Sequence, residues 1–203
     1  MLRIKQVFMS IVAISILFSD VALAQVASNQ AAPDFTLTDS NGQNHSLADY
    51  KGKFIVLEWF NPDCPFVKKH YDSGNMPNLQ KQYTAKGVVW LSINSSALGK
   101  QGNYTPQGFN RFITDKGASP TVVLLDTDGK VGRLYNAQTT PSMFVIDPKG
   151  ILIYQGAIDD TPSADTADLK TAKNYVSAAL DAAMNGKPVA VSTTKSYGCS
   201  VKY

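Results

Sequence analysis

The 203-residue sequence is poor in cysteine and histidine, with two of each. Two cysteines cannot form the dense disulfide framework of a small secreted module, and a chain of this length needs no such staple to bury a core. The histidines, His45 and His70, give no metal site. Cys64 and His70 stand six positions apart, which is not a ligand spacing, so neither a metal nor a cofactor is expected. Charge is sparse as well. Charged residues make up 17% and the formal net charge is +3, which argues against nucleic acid or an acidic membrane surface as a partner. Beyond the first two dozen residues no stretch is apolar enough to span a bilayer, and neither an internal repeat nor a second domain is visible.

What is present describes a globular chain, 44% hydrophobic. Its first two dozen residues read as a targeting segment. Arg3 and Lys5 precede a run, Val7 to Phe18, that is apolar but for Ser10 and Ser15, and Ala22-Leu23-Ala24 has the small-x-small form of a cleavage site. Residues 1–24 are therefore expected to be a signal peptide. The mature protein then begins near Gln25, is secreted without stable membrane insertion, and is periplasmic in a Gram-negative source. Losing Arg3, Lys5 and Asp20 leaves a charge of +3 − 2 + 1 = +2. Cys64 and Cys199 both survive cleavage, and outside the cytoplasm an even cysteine count favours pairing.

From residue 25 to 186 strand and helix signals alternate. Phe54-Ile55-Val56-Leu57 reads as a central parallel strand buried on both faces, Val88 to Ile93 as a second apolar strand, and Val122 to Leu125 as a third. Met143 to Ile146 and Ile151 to Tyr154 flank the turn Asp147-Pro148-Lys149-Gly150 as an antiparallel hairpin. Leu169, Ala172, Val176, Leu180 and Ala183 recur at helical spacing, which predicts one last helix capped by Asp165 and ended by Gly186. The pair Asp159-Asp160 reads as a solvated turn. The expected architecture is an α/β fold, a mixed sheet between helices, followed by a C-terminal tail over 187–203.

The chemistry concentrates at Asn61-Pro62-Asp63-Cys64-Pro65-Phe66-Val67-Lys68. A buried strand ends, a short loop turns, and Cys64 stands at the start of a helix with Pro65 in its first turn. The partial positive charge of a helix N-terminus favours the thiolate, and Lys68, one turn along, adds a positive charge nearby. Thiolates are the nucleophiles of disulfide exchange and of peroxide reduction alike.

This segment resembles the thioredoxin superfamily, in its redoxin or peroxiredoxin-like (AhpC/TSA-type) branch. Ala32-Pro33-Asp34-Phe35 resembles the opening of redoxin domains. The resemblance implies a thioredoxin-like fold and puts Cys64 in the place of the attacking cysteine. Glu58, six residues earlier, falls where thioredoxins keep a buried, proton-handling acid. Thr140-Pro141 resembles the cis-proline loop that pairs with a substrate chain. Two positions depart from the family. Val67 occupies the place of the second cysteine of C-x-x-C. Asn61 and Leu57 occupy the places of the threonine and proline in the peroxiredoxin Pro-x-x-x-Thr-x-x-Cys pattern.

With Val67 in that place, the resolving role falls to Cys199, which lies 135 positions away (199 − 64) in a tail where Gly198 permits close approach. Three arrangements stay open: a catalytic Cys64–Cys199 pair, a permanent staple, or an intermolecular disulfide. The leading reading is a thiol–disulfide oxidoreductase acting on protein or small-molecule thiols and disulfides. A thiol-dependent peroxidase acting on peroxides and a non-catalytic binding module are its rivals.

Overall fold

The computed structural model describes residues 26–203, so the signal-peptide expectation for 1–24 lies outside the described residues. In chain order the elements are β1 (Thr36–Asp39), β2 (Asn44–Ser46), β3 (Ile55–Trp59), α1 (Pro65–Asp72), α2 (Asn75–Thr84), β4 (Val89–Asn94) and α3 (Pro106–Asp115). They continue with β5 (Val122–Leu125), α4 (Lys130–Leu134), β6 (Thr139–Thr140), β7 (Ser142–Ile146), β8 (Leu152–Gly156), α5 (Tyr175–Met184) and β9 (Cys199–Ser200). Seven strands form one mixed sheet in the order β2-β1-β5-β4-β3-β7-β8, in which β3, β4 and β5 are parallel and β7 runs antiparallel to β3.

The apolar run of the sequence becomes β3, and all five of its residues are buried. Alternation sends its side chains to two cores. Val56 joins Val67, Tyr71, Met76 and Tyr83 of α1 and α2, Phe109 of α3 and Leu180 of α5. Ile55, Leu57 and Trp59 join Leu91, Ile93, Tyr135 and Phe144 on the opposite face. The expected hairpin is present as β7–β8.

The last helix departs from its expected form. Asp165 caps only a 3-10 turn over Thr166–Lys170, and α5 starts later, capped by Asn174, whose side chain accepts from the Ser177 N–H. The helix pattern fails between them because the backbone there bonds elsewhere. The Lys173 N–H donates to the Asp160 side chain and the Tyr175 N–H to the Ile158 carbonyl. The tail is fastened down rather than loose: the Gln155 N–H donates to the Ser192 carbonyl, and the Thr194 N–H returns a bond to the Gln155 carbonyl. It ends in β9, which pairs antiparallel with β6 in a separate two-stranded sheet.

Candidate active site

The site starts where β3 stops. The Phe60 N–H donates to the Ile93 carbonyl (3.0 Å), which carries the pairing one residue past the strand, and Asn61-Pro62-Asp63 then turns the chain. Cys64 is the N-cap of α1 in extended conformation (φ −72°, ψ 125°), with Pro65 first in the helix. The turn is held from inside and outside. Asn61 Oδ1 accepts from the Asp63 N–H (2.9 Å), and Asn61 Nδ2 donates to the Gln101 carbonyl (3.2 Å). Asp63 accepts from the Gly102 N–H (3.0 Å) and the Tyr104 hydroxyl (2.7 Å). Gly102 fits only as glycine: its φ is +79°, and a Cβ there would lie 2.1 Å from Asn61 Oδ1. The amide of Asn61, in the place of the peroxiredoxin threonine, is thus used within the turn.

Cys64 is fully buried (0% exposed), and its thiol donates to the Thr140 carbonyl at 3.2 Å. The Thr140–Pro141 peptide bond is cis, and Thr140 faces Cys199 in the β6–β9 register. Thr140 therefore contacts both cysteines, and both are free thiols. Burial pushes the Cys64 thiol up. The Cys199 thiol, the Val67 N–H and the Cys199 N–H oppose that, and the balance holds Cys64 below its ordinary value. Cys199, half-buried, is pushed up to about 11 by burial and then by the neighbouring Cys64 sulfur. Of the pair, Cys64 is the sulfur that ionises first, and Cys199 keeps its proton.

Glu58 is buried as expected but does not make a hydrogen bond to Cys64. Its carboxyl accepts from the Tyr71 hydroxyl (2.8 Å), Gln80 Nε2 (3.1 Å), Trp90 Nε1 (2.8 Å) and the Ser92 hydroxyl (2.8 Å). Burial raises its pKa against those four donors. The group ties α1 and α2 to β3 and β4. Lys68 is exposed, and its contact with Cys64 runs through the backbone, its N–H donating to the Cys64 carbonyl at 2.9 Å.

Three residues escaped the sequence reading. His70 (0% exposed) and Asp159 (2%) are both buried, so the solvated turn expected at Asp159-Asp160 is corrected for its first member; only Asp160 is exposed. Tyr197, two residues before Cys199, donates its hydroxyl to Asp159 Oδ1 (2.5 Å) and lies 3.4 Å from His70 Nε2. Asn75 Nδ2 donates to His70 Nδ1 (2.8 Å), which leaves the ring hydrogen on Nε2, facing Tyr197 and Asp159. Burial holds His70 down at about 4, against the pull of the Asp159 carboxylate. The one sequence signal for this cluster was a histidine and a tyrosine near the two cysteines.

A 30% identical relative is the thiol-disulfide oxidoreductase ResA of Bacillus subtilis (strain 168); the match spans 63% of this chain and 66% of that one. An uncharacterized conserved protein of Geobacillus kaustophilus shares the fold over nearly the whole length, with a TM-score of 0.73, 27% identity, and coverage of 89% of this chain and 94% of that chain. The thioredoxin domain of a thiol-disulfide oxidoreductase of Bacteroides vulgatus superposes over 64% of this chain and 89% of its own, with a TM-score of 0.51 and 19% identity, a likeness of fold alone. The AhpC/TSA family model matches residues 28–155, which contain Cys64 and the Thr140-Pro141 loop and end before the Cys199 tail. The chain therefore belongs to the AhpC/TSA family and has a thioredoxin-like fold.

Proposed function

We propose that this protein is a secreted thiol–disulfide oxidoreductase whose working groups are Cys64 and Cys199. The observation that carries the reading is the β6–β9 pairing, which sets Cys199 opposite Thr140 while the Cys64 thiol bonds to the same residue's carbonyl. In the reducing direction the Cys64 thiolate attacks a substrate disulfide, forms a mixed disulfide and releases one substrate thiolate. Cys199 then gives up its proton and attacks the Cys64 sulfur. The Cys64–Cys199 disulfide forms and the second substrate thiolate leaves, so two electrons pass from the pair to the substrate. Val67 N–H and Cys199 N–H stabilise the thiolate that starts the sequence. Thr140, held before the cis Pro141, accepts from the Cys64 thiol and pairs with Cys199, and Pro65 starts the helix that presents Cys64. Glu58, bonded to four other side chains, holds the scaffold and is given no part in the exchange itself.

The reading is tested by equilibrating the chain from Gln25 to Tyr203 in glutathione buffers, trapping free thiols with an alkylating agent and measuring mass. An intramolecular disulfide that titrates with the buffer, and loss of disulfide exchange in Cys64→Ser, are the expected results. Two free thiols under oxidising buffer would overturn it. Reaction with hydrogen peroxide faster than that of free cysteine would favour a peroxidase instead.

A further inference from the structure

Thioredoxin-like sites take up an extended polypeptide by strand addition at the loop before the cis-proline. In this protein that edge is filled by the chain itself. Cys199 and Ser200 pair with Thr140 and Thr139, and the Val201 N–H continues the ladder to the Gln138 carbonyl (3.0 Å). The occupancy is built in at both ends. Upstream, Tyr197 is anchored in the buried His70–Asp159 pocket and packs edge-on against Phe66 with ring centroids 5.8 Å apart. Downstream, the Lys202 carbonyl accepts from the Ala97 N–H (2.8 Å) and the Tyr203 hydroxyl donates to the Ala137 carbonyl (2.6 Å). Gly129 and Gly132 leave room for the Tyr203 side chain, since a Cβ would come within 2.4 Å of its ring at Gly129 and of its hydroxyl at Gly132. Such a fit is that of a docked segment and not of a loose end. Exposure divides the two residues accordingly: Cys64 is buried and Cys199 is partly exposed.

We propose that the tail stands where a substrate polypeptide would dock, and that the oxidised pair is reduced by low-molecular-weight thiols arriving at Cys199, in preference to extended polypeptides. The inference rests on the oxidoreductase reading. The step balances. A small thiolate attacks the Cys199 sulfur of the Cys64–Cys199 disulfide; that S–S bond breaks, a mixed disulfide forms on Cys199, and Cys64 leaves as a thiolate. A second small thiolate attacks the small-molecule sulfur of the mixed disulfide and releases Cys199. Two thiols become one disulfide, and the protein gains two electrons and, with its surroundings, the protons. Departure is favoured at Cys64, because a thiol of lower pKa leaves faster. Tyr197, with Asp159 and His70 behind it, is a positioning residue: it holds the tail closed and touches no reacting atom.

The oxidised full chain is reduced with glutathione and, separately, with a reduced unfolded polypeptide bearing cysteines, at matched thiolate concentration. The expected wild-type ratio favours glutathione by at least about tenfold. Tyr197→Phe removes the hydroxyl bonded to Asp159, frees the tail and narrows that ratio severalfold. A chain ending at Ser200, which keeps Cys199 and loses the downstream grip, does the same from the other side if Tyr197→Phe fails to fold. Equal rates in the wild type overturn the proposal. So does a wild-type preference that neither variant narrows, because the tail is then not what excludes polypeptides. If no Cys64–Cys199 disulfide forms at all, the oxidoreductase reading falls with it; a disulfide without discrimination removes this inference alone.

Discussion

Gly198→Ala perturbs the tail without touching either sulfur, and its effect can be worked from the backbone. Gly198 has φ +123°, a region that L side chains rarely enter, and a Cβ there would lie 2.0 Å from the Thr140 carbonyl oxygen and 2.9 Å from its carbon. The conformational strain alone is about 1–3 kcal/mol. The contact cannot be relieved by rotating a side chain, because the obstacle is backbone. Thr140 is itself held by the Cys64 thiol and by β7, which follows at once, so the tail has to withdraw. The penalty is capped by the free energy of docking the tail, since the tail can leave while the seven-stranded sheet stays folded. Weakening that docking by about 2 kcal/mol raises the undocked population roughly 30-fold. Cys64, 0% exposed when the tail is docked, reports this population directly. Alkylation of Cys64 in the reduced protein should therefore run about 30-fold faster in Gly198→Ala at the same pH, with helix and sheet content unchanged by circular dichroism. Alkylation at the wild-type rate would refute the idea that this close approach holds the site shut.

Two further predictions concern protons. Reduced wild-type protein should show one thiolate by ultraviolet absorbance below the ordinary 9.0 and a second near 11, and Cys199→Ala should move the first upward, because the Cys199 thiol is the leading group that holds Cys64 down; an unmoved or lower titration contradicts this. His70 titrates at about 4 when folded and at 6.5 when unfolded, so between these values the unfolded chain holds the extra proton and stability falls as pH drops. The full window amounts to roughly 3 kcal/mol at about 1.4 kcal/mol per pKa unit, read as a difference in urea unfolding between pH 7 and 4, and His70→Asn should flatten it; an equally steep loss in the variant assigns the effect elsewhere.

The parts of this molecule that local chemistry decides could be read from its sequence. A both-faces-buried strand followed by Asn-Pro-Asp and a cysteine before proline specifies a cysteine at a helix N-cap position, and β3, the turn and α1 follow that order. The apolar strand and the thioredoxin resemblance likewise put Glu58 inside the protein, where it is found. Its partners were not legible, because Tyr71, Gln80, Trp90 and Ser92 come from two helices and a neighbouring strand. The split of the last helix was hidden for a similar reason. Leu169 and Ala172 fit the helical period, but backbone bonds from Lys173 and Tyr175 to the 158–160 turn outweigh it. The Tyr197–Asp159–His70 cluster was the least visible, since Tyr197 and His70 lie 127 positions apart and only their nearness in sequence to the two cysteines hints that they meet.

The turn that carries Cys64 bears on how the site moves. Bonds from Gln101, Gly102 and Tyr104 brace Asn61 and Asp63 against a separate loop, so α1 begins on a fixed base. Cys199 belongs to a strand of two residues with one neighbour. Of the two segments that carry the cysteines, one is braced by a separate loop and the other rests on a two-residue strand and the side chains that flank it. Making and breaking a bond between them is then mechanically asymmetric: displacement falls on the segment from Ser196 to Tyr203, while the helix, the turn and the sheet behind them keep their places. Crystals of the oxidised and reduced protein should differ along that terminal segment and nowhere else along the polypeptide.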